Sequence, residues 1–189
     1  MAESDRLPPI PPDEQTPEQR DASAAFRANR KVDVFGPFVP LLRSPEVMLR
    51  AMAMGDYLRF RTVLPRKLNE LAILITARKW SQEYEWYVHH PLALEEGLQP
   101  AIARDVAEGH RPEAMDADEA LVYDFTTELL TTLYVSDALY ARAVARLGEQ
   151  ATIDLTSVAG FYTFIAMVLN TARTPLPPGA TPAFQTPDG

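Results

Sequence analysis

The sequence predicts an all-α protein, and three observations support that fold class. Signals for helix starts follow one another through the middle of the chain, and no segment shows sustained period-two alternation or an Asn-Gly hairpin. Prolines cluster at the ends: five of the 17 lie within the first 17 residues and five after residue 174. We therefore expect a helical domain at 16–173 between an extended arm at 1–15 and an extended tail at 174–189. Each end is expected to be disordered or to lie over a neighbouring subunit.

The first three helices have recognisable starts. Thr16-Pro17-Glu18-Gln19 combines an N-cap, a first-turn proline and a capping-box Gln, which predicts a helix to about Arg30. Ser44-Pro45-Glu46 repeats that start and predicts a helix to about Phe60. Pro65 opens the third helix, through LNELAILITARK.

Five further helices complete a bundle of about eight. Ser81 is expected to cap the fourth, which ends near Gly97 and contains a proline, so a kink is predicted after His90. The remaining helices are expected from Pro100 to Glu108, from Asp116 to Leu133, from Asp137 to Leu147 and from Glu149 to about Ala172.

Composition excludes several function classes. The chain contains no cysteine, which rules out disulfides, thiolate catalysis and Cys-ligated metals. The net charge of −8 argues against nucleic acid and anionic membranes as partners. The short basic cluster from Arg27 to Lys31 is interpreted as solvated surface. No apolar run approaches the roughly 20 residues of a membrane span, and the acidic, Pro-rich start lacks a signal pattern, so a cytoplasmic protein is expected.

One stripe on the fourth helix contains the groups that could do chemistry. Helical spacing places five side chains on one face: Gln82, Glu85, Trp86, His89 and Ala93. Glu85 stands four residues before His89, close enough to form a pair that moves protons near neutral pH. Antiparallel packing of the preceding helix brings the Glu70 carboxylate beside the same imidazole.

Each of these residues also has an ordinary structural interpretation. A Glu–His pair one turn apart is often only surface electrostatics. Trp86 fits a core position better than a cofactor stack, and Glu83, Tyr87 and His90 are interpreted as solvent or subunit contacts. The two glutamates and His89 form only a weak metal signature, because Trp86 occupies the Glu position of a Glu-x-x-His pattern; no metal site is predicted.

The stretch ELAILITARKWSQEYEWYVHHPLALEEG, from Glu70 to Gly97, resembles the core motif of the carboxymuconolactone decarboxylase / AhpD-like family. In that motif a Glu precedes Cys-x-x-Cys-x-x-x-His. Glu70 and His89 stand at the acid and imidazole positions, and Gln82 and Glu85 stand at the two thiol positions. The resemblance extends over residues 35–172.

The resemblance implies an all-helical subunit assembled as a homotrimer or homohexamer, with its site near a subunit interface. Of the family's two activities, thiol peroxidase chemistry is excluded by the missing cysteines. Decarboxylation of 4-carboxymuconolactone in aromatic catabolism, which uses no redox cofactor, remains possible. We therefore expect a cofactor-free acid/base lyase or isomerase acting on a small lactone or carboxylic acid.

Roles for individual residues follow from that expectation. His89 is the expected proton donor, oriented by Glu85 or Glu70, with Gln82 and Trp86 as candidate substrate-binding residues. Candidates for binding substrate carboxylates are Arg61, Arg66 and Arg78, although helix-surface positions suit each of them. The alternative is a non-catalytic oligomeric binding or scaffold protein, in which Glu85 and His89 pair in a closed core.

Overall fold

The structure, a computed structural model, describes residues 5–184. These residues form nine α-helices and no strand, which confirms the all-α fold class. The helices are α1 (Pro17–Arg30), α2 (Phe38–Leu41), α3 (Pro45–Phe60), α4 (Arg66–Lys79), α5 (Glu83–Glu95), α6 (Pro100–Glu108), α7 (Ala117–Thr132), α8 (Asp137–Leu147) and α9 (Glu149–Ala172). The short α2 is the one helix that the sequence analysis did not predict.

Local capping signals set several of the helix boundaries. The Thr16 hydroxyl accepts the Gln19 backbone N–H at 3.3 Å, and the Gln19 side chain accepts the Thr16 backbone N–H at 3.0 Å. Asp116 and Glu119 form the same reciprocal pair at the start of α7. Gly109, at φ +79°, ends α6 in the left-handed region that glycine enters freely.

The start of α5 differs from the prediction by one residue. Gln82, and not Ser81, is the N-cap: its side-chain oxygen accepts the Tyr84 backbone N–H at 2.7 Å. Ser81 instead has a φ of 47° and forms the turn out of α4. Pro91 lies inside α5, which continues to Glu95.

Helix α4 is the centre of the core. Every residue from 68 to 77 is buried, which is the pattern of a helix surrounded by others, and α4 packs against α5, α6, α7 and α9. The connection from α4 to α5 is only three residues long, Trp80 to Gln82. Side chains of α4 and α5 therefore face each other along the two helices.

Asp154 on α9 anchors the segment that leads into α4. Its carboxylate accepts the Tyr57 hydroxyl at 3.0 Å, the Thr62 hydroxyl at 2.7 Å and the Val63 backbone N–H at 3.2 Å. Because Asp154 is buried, these charge-assisted hydrogen bonds are shielded from water. They fix the end of α3 and the start of the helix that contains Glu70.

Helix α9 is long and apolar enough to cross a membrane, judged by length and composition alone. Its 24 residues include a window of mean hydropathy 1.6, although 56% of that window is buried inside the protein. The sequence analysis expected no such segment. Burial of this helix among α3, α4, α7 and α8 is the behaviour of a core helix.

Both proline-rich ends pack on the chain's own helices over the part that the structure describes. The Arg6 backbone N–H donates to the Ala172 carbonyl at 2.8 Å. In the tail, the Glu83 carboxylate accepts the backbone N–H groups of Ala183 and Phe184 at 2.7 and 2.8 Å. Glu83 therefore binds the tail, although it was predicted to contact solvent or another subunit. Residues 1–4 and 185–189 lie outside the described range.

Candidate active site

A buried glutamate–histidine pair joins α4 to α5. The Oε2 atom of Glu70 lies 2.7 Å from Nδ1 of His89, and both side chains are buried. Glu70 belongs to the fully buried stretch of α4, and His89 lies on the buried stripe of α5. The packing of these two helices thus produces the contact that the sequence analysis expected.

The imidazole of His89 is held neutral near physiological pH. Burial lowers the pKa of His89, and the nearby positive charge of Arg59 lowers it further. The hydrogen bond and charge of Glu70 act in the opposite direction but do not outweigh burial. In the neutral ring Nδ1–H donates to Glu70, which leaves Nε2 as an unprotonated base.

Glu85 is a second buried carboxyl group, and it has no partner. Only 3% of the residue is exposed, and neither side-chain oxygen forms a hydrogen bond within the described part of the chain. Burial raises the pKa of Glu85 well above its usual value, so the group holds a proton. The predicted pair between Glu85 and His89 is wrong, because Glu70 takes the Nδ1 position from a neighbouring helix.

His89 and Glu85 line a cavity of about 60 Å³. Its polar lining consists of Glu85 and His89 from α5, Tyr162 from α9, Arg30 from α1 and Arg59 from α3. The rest of the wall is mostly apolar: Phe35, Pro37, Phe38, Gly55, Tyr84, Val88, Phe161, Ile165 and Leu169. A few convergent polar groups in an apolar cavity are typical of a small-molecule site.

Tyr162 packs directly against the catalytic candidate on α5. Its ring meets the His89 ring edge to face, with centroids 4.9 Å apart and planes at 87°. Burial raises the pKa of Tyr162, so the phenol stays neutral. Tyr162 was not predicted as a site residue.

Two arginines in the cavity wall were not predicted as site residues. Arg30, at the end of α1, was interpreted as part of a solvated cluster, which is wrong. Its guanidinium pairs with Asp56 at 2.6 Å and lies over the Phe38 ring at 5.3 Å from the centroid. The second, Arg59, has an Nε atom that is buried and makes no hydrogen bond within residues 5–184.

The other predicted binding residues lie outside the cavity lining. The Gln82 amide donates to Asn170 Oδ1 at 2.7 Å while its oxygen caps α5, so the structure uses both ends of this side chain. Trp86 is buried with its ring stacked on His90, at 5.6 Å between centroids, and edge-on to Phe184. This is the core position that the sequence favoured.

The three arginines proposed for substrate carboxylates are also engaged elsewhere. Arg66 pairs with Glu96 at 2.7 Å, and Arg78 donates to the Ala107 carbonyl at 2.8 Å. Arg61 lies over the Tyr57 ring. None of the three lines the cavity.

Gly36 allows the Tyr84 ring to pack closely against the backbone in one wall of the cavity. Gly36 has a φ of +55°, and a Cβ atom there would lie 3.0 Å from the Tyr84 ring. Both the backbone conformation and the close approach of Tyr84 therefore favour glycine.

Between residues 5 and 184, no three His, Asp or Glu side chains converge in a way that could hold a metal ion. Glu70 and His89 face each other, but Glu85 contacts neither through a hydrogen bond. The site thus consists of a neutral imidazole oriented by a carboxylate, a protonated carboxyl group and a phenol.

The fold and the site together define the protein as an all-helical, cysteine-free chain with an AhpD-like fold. No family model and no curated protein matches the sequence. A solved structure does match: the alkylhydroperoxidase AhpD core of an uncharacterized peroxidase-related protein from Ralstonia eutropha JMP134. The two chains are 15% identical, each is covered over 92% of its length, and the TM-score is 0.73. At this identity, the similarity is one of fold.

Proposed function

We propose that the protein is a cofactor-free acid/base enzyme, a lyase (decarboxylase) or isomerase acting on a small lactone or carboxylic acid. The observation that supports this is one cavity lined by a His89 imidazole, whose Nδ1 atom is hydrogen-bonded to Glu70, and by an unpartnered Glu85 carboxyl group. Burial lowers the pKa of His89 and raises the pKa of Glu85, which favours a neutral base beside a protonated acid. Environments that separate two titratable groups in this way mark the acid and base of a proton-transfer site.

The proposed chemistry assigns each group a task. In an isomerisation, His89 Nε2 removes a proton from the carbon next to a carbonyl, while the Glu85 carboxyl group donates a hydrogen bond to the carbonyl oxygen. The imidazolium, stabilised by Glu70, then returns the proton to another carbon of the conjugated system. The substrate's atoms are conserved, and no electron donor or acceptor is required.

Decarboxylation uses Glu85 as the proton donor and requires no base. Loss of CO2 leaves an electron pair that spreads into the carbonyl, and the hydrogen bond from Glu85 stabilises the resulting enolate. Glu85 then supplies the proton that replaces CO2 and is reprotonated from water. Because His89 is neutral, the role of first proton donor moves from His89, the expected donor, to Glu85.

The alternative, a non-catalytic oligomeric binding or scaffold protein, requires Glu85 and His89 to pair in a closed core. The unpartnered Glu85 oxygens and the cavity beside them do not favour it. The trimer or hexamer implied by the family resemblance stays a prediction. So do the aromatic-catabolism setting and the cytoplasmic location.

The test is turnover of 4-carboxymuconolactone, related lactones and small unsaturated acids, followed by ultraviolet absorbance and CO2 release. For an isomerisation, His89→Gln is expected to lower kcat by roughly 100-fold or more, because it removes the base; for a decarboxylation, Glu85→Gln is expected to do so, because it removes the proton donor. His110→Gln changes an exposed histidine outside the cavity; it is the matched control and should keep full activity. Full turnover by both His89→Gln and Glu85→Gln would contradict the proposed proton transfer.

The pH profile provides a second readout. His89 must be unprotonated to act as the base, so kcat/KM should rise with pH as His89 loses its proton. The midpoint of this rise is expected below pH 6.5, the usual pKa of histidine, because burial lowers the pKa of His89. Replacing Glu85 with Gln should remove the descending limb.

A further inference from the structure

We propose that Arg59 binds a carboxylate of the substrate, so that the cavity selects small organic anions over neutral compounds of the same shape. This inference rests on the proposed function for the reaction, but it concerns binding and has its own test. It narrows the substrate class from lactones and acids in general to molecules that carry a carboxylate.

Arg59 is the cavity arginine whose charge has no counterion in the described part of the chain. It forms no ion pair there, and its Nε atom is buried without a hydrogen-bond acceptor. Its guanidinium lies over the Phe60 ring, 5.1 Å from the centroid. Arg30, the other cavity arginine, also has a buried Nε atom without an acceptor, but its guanidinium already pairs with Asp56. Arg59 is therefore the cavity arginine without an ion pair in the described part of the chain, and its guanidinium has a donor for an incoming anion.

No acidic group of the cavity pairs directly with Arg59 in the described part of the chain. The Glu70 carboxylate is hydrogen-bonded to His89, and Glu85, whose pKa is raised by burial, has no hydrogen-bond partner there. Tyr162 is a neutral phenol, because burial raises its pKa. A partly buried guanidinium without a counterion is unfavourable, whereas a carboxylate matches its planar fork of donors. An anionic substrate supplies the missing partner.

Arg59 lines the same cavity as the reacting groups His89 and Tyr162. A carboxylate bound to Arg59 therefore places the remainder of the ligand next to the imidazole. The unpartnered Glu85 oxygens lie in the same lining and offer a hydrogen-bond donor to a carbonyl on the other end of the ligand.

The cavity has a volume of about 60 Å³, so a small acid, or the reacting end of a larger one, is a suitable ligand to test. Crotonate is a small acid that contains a carboxylate conjugated to a double bond. Crotonamide has the same shape without the charge, which makes the two compounds a matched pair of probes.

The experiment is calorimetric titration of the full-length protein with crotonate, crotonamide, acetate and fumarate. Crotonate is expected to bind wild-type protein at least roughly tenfold more tightly than crotonamide, and Arg59→Gln should remove that preference. Arg59→Lys keeps the charge but not the fork of donors, so it should retain part of the affinity. Arg50→Gln removes an exposed arginine from the same helix and should leave binding unchanged.

The outcomes separate this inference from the proposed reaction. Equal binding of crotonate to wild-type and Arg59→Gln protein overturns the inference, and so does a failure of all three acids to bind. Arg59-dependent binding without turnover of any substrate supports the inference while contradicting the proposed function. If Arg59→Gln is poorly folded, Arg59→Lys provides the test. The inference is overturned if Arg59→Lys binds crotonate as tightly as wild-type protein does and if crotonamide binds as tightly as crotonate.

Discussion

Glu85 is expected to make stability fall as pH rises, and Glu85→Gln should remove this effect. An acid with a raised native pKa holds its proton in the folded state after the unfolded chain has released it. The stabilising contribution of the protonated form is therefore present below about 4.5, the usual pKa of Glu, and is lost as pH rises toward the native pKa. Gln cannot titrate, so its contribution is constant.

The size of the effect follows from linkage. A difference of one proton between the folded and unfolded states changes the free energy of unfolding by about 1.4 kcal/mol per pH unit. The advantage of Glu85→Gln over wild-type protein should grow at up to that rate above about pH 4.5, until the native pKa is reached. If the free energy of unfolding falls by roughly 2 kcal/mol per molar urea, the urea midpoints of Glu85→Gln and wild-type protein should move apart by about 0.7 M per pH unit.

The assay is urea unfolding followed by far-ultraviolet circular dichroism, from about pH 5 to about pH 8. His89 contributes in the opposite sense: its native pKa is lowered, so stability falls as pH drops below 6.5, but this contribution is common to both proteins. Glu95→Gln removes an exposed glutamate from the same helix and is the control. A constant difference between Glu85→Gln and wild-type protein across this range would refute a protonated Glu85.

Two further predictions test the surroundings of the site. Glu70→Gln should lower the pKa of His89 further, because the hydrogen bond and charge of Glu70 raise it; nuclear magnetic resonance titration of the ring measures this, and an unchanged or higher pKa would contradict the pairing. Asp154→Asn should lower the free energy of unfolding by roughly 2–4 kcal/mol, because a buried acceptor of three hydrogen bonds loses its charge. Urea unfolding measures this loss, and Asp137→Asn, which changes an exposed aspartate, is the control. Equal losses of unfolding free energy in the two variants would contradict the role of Asp154 as an anchor.

Helix positions could be predicted from the sequence because helix ends depend on neighbouring residues. Thr16 and Asp116 lie within reach of the N–H groups that they cap, so the short-range pattern is sufficient. The four residues of Phe38–Leu41 are too few to show a helical period. Ser81 was predicted as the N-cap of α5, but Gln82 is the N-cap. Both side chains are polar, and the tight turn out of α4 determines which of them faces the helix.

The stripe on α5 was predicted from its period, and all five of its residues are buried. The remaining site residues come from other helices. Arg30, Arg59 and Tyr162 lie on α1, α3 and α9, and only tertiary packing brings them to one cavity. Basic residues at a helix end are usually solvated, and no local pattern showed that Arg30 would be buried. Its burial accompanies the ion pair with Asp56, which lies on another helix.

The two residues at the thiol positions of the motif have different environments, and that difference supports acid/base chemistry. Gln82 caps α5, and both ends of its amide are hydrogen-bonded inside the protein. Glu85 instead lies in the cavity wall with no partner, so its carboxyl group stays protonated and available. A lone buried carboxyl group is costly to the fold, and an apolar residue of similar size would remove that cost. Its position beside a neutral imidazole gives the cavity an acid and a base, the minimum that proton transfer between two atoms of a substrate requires.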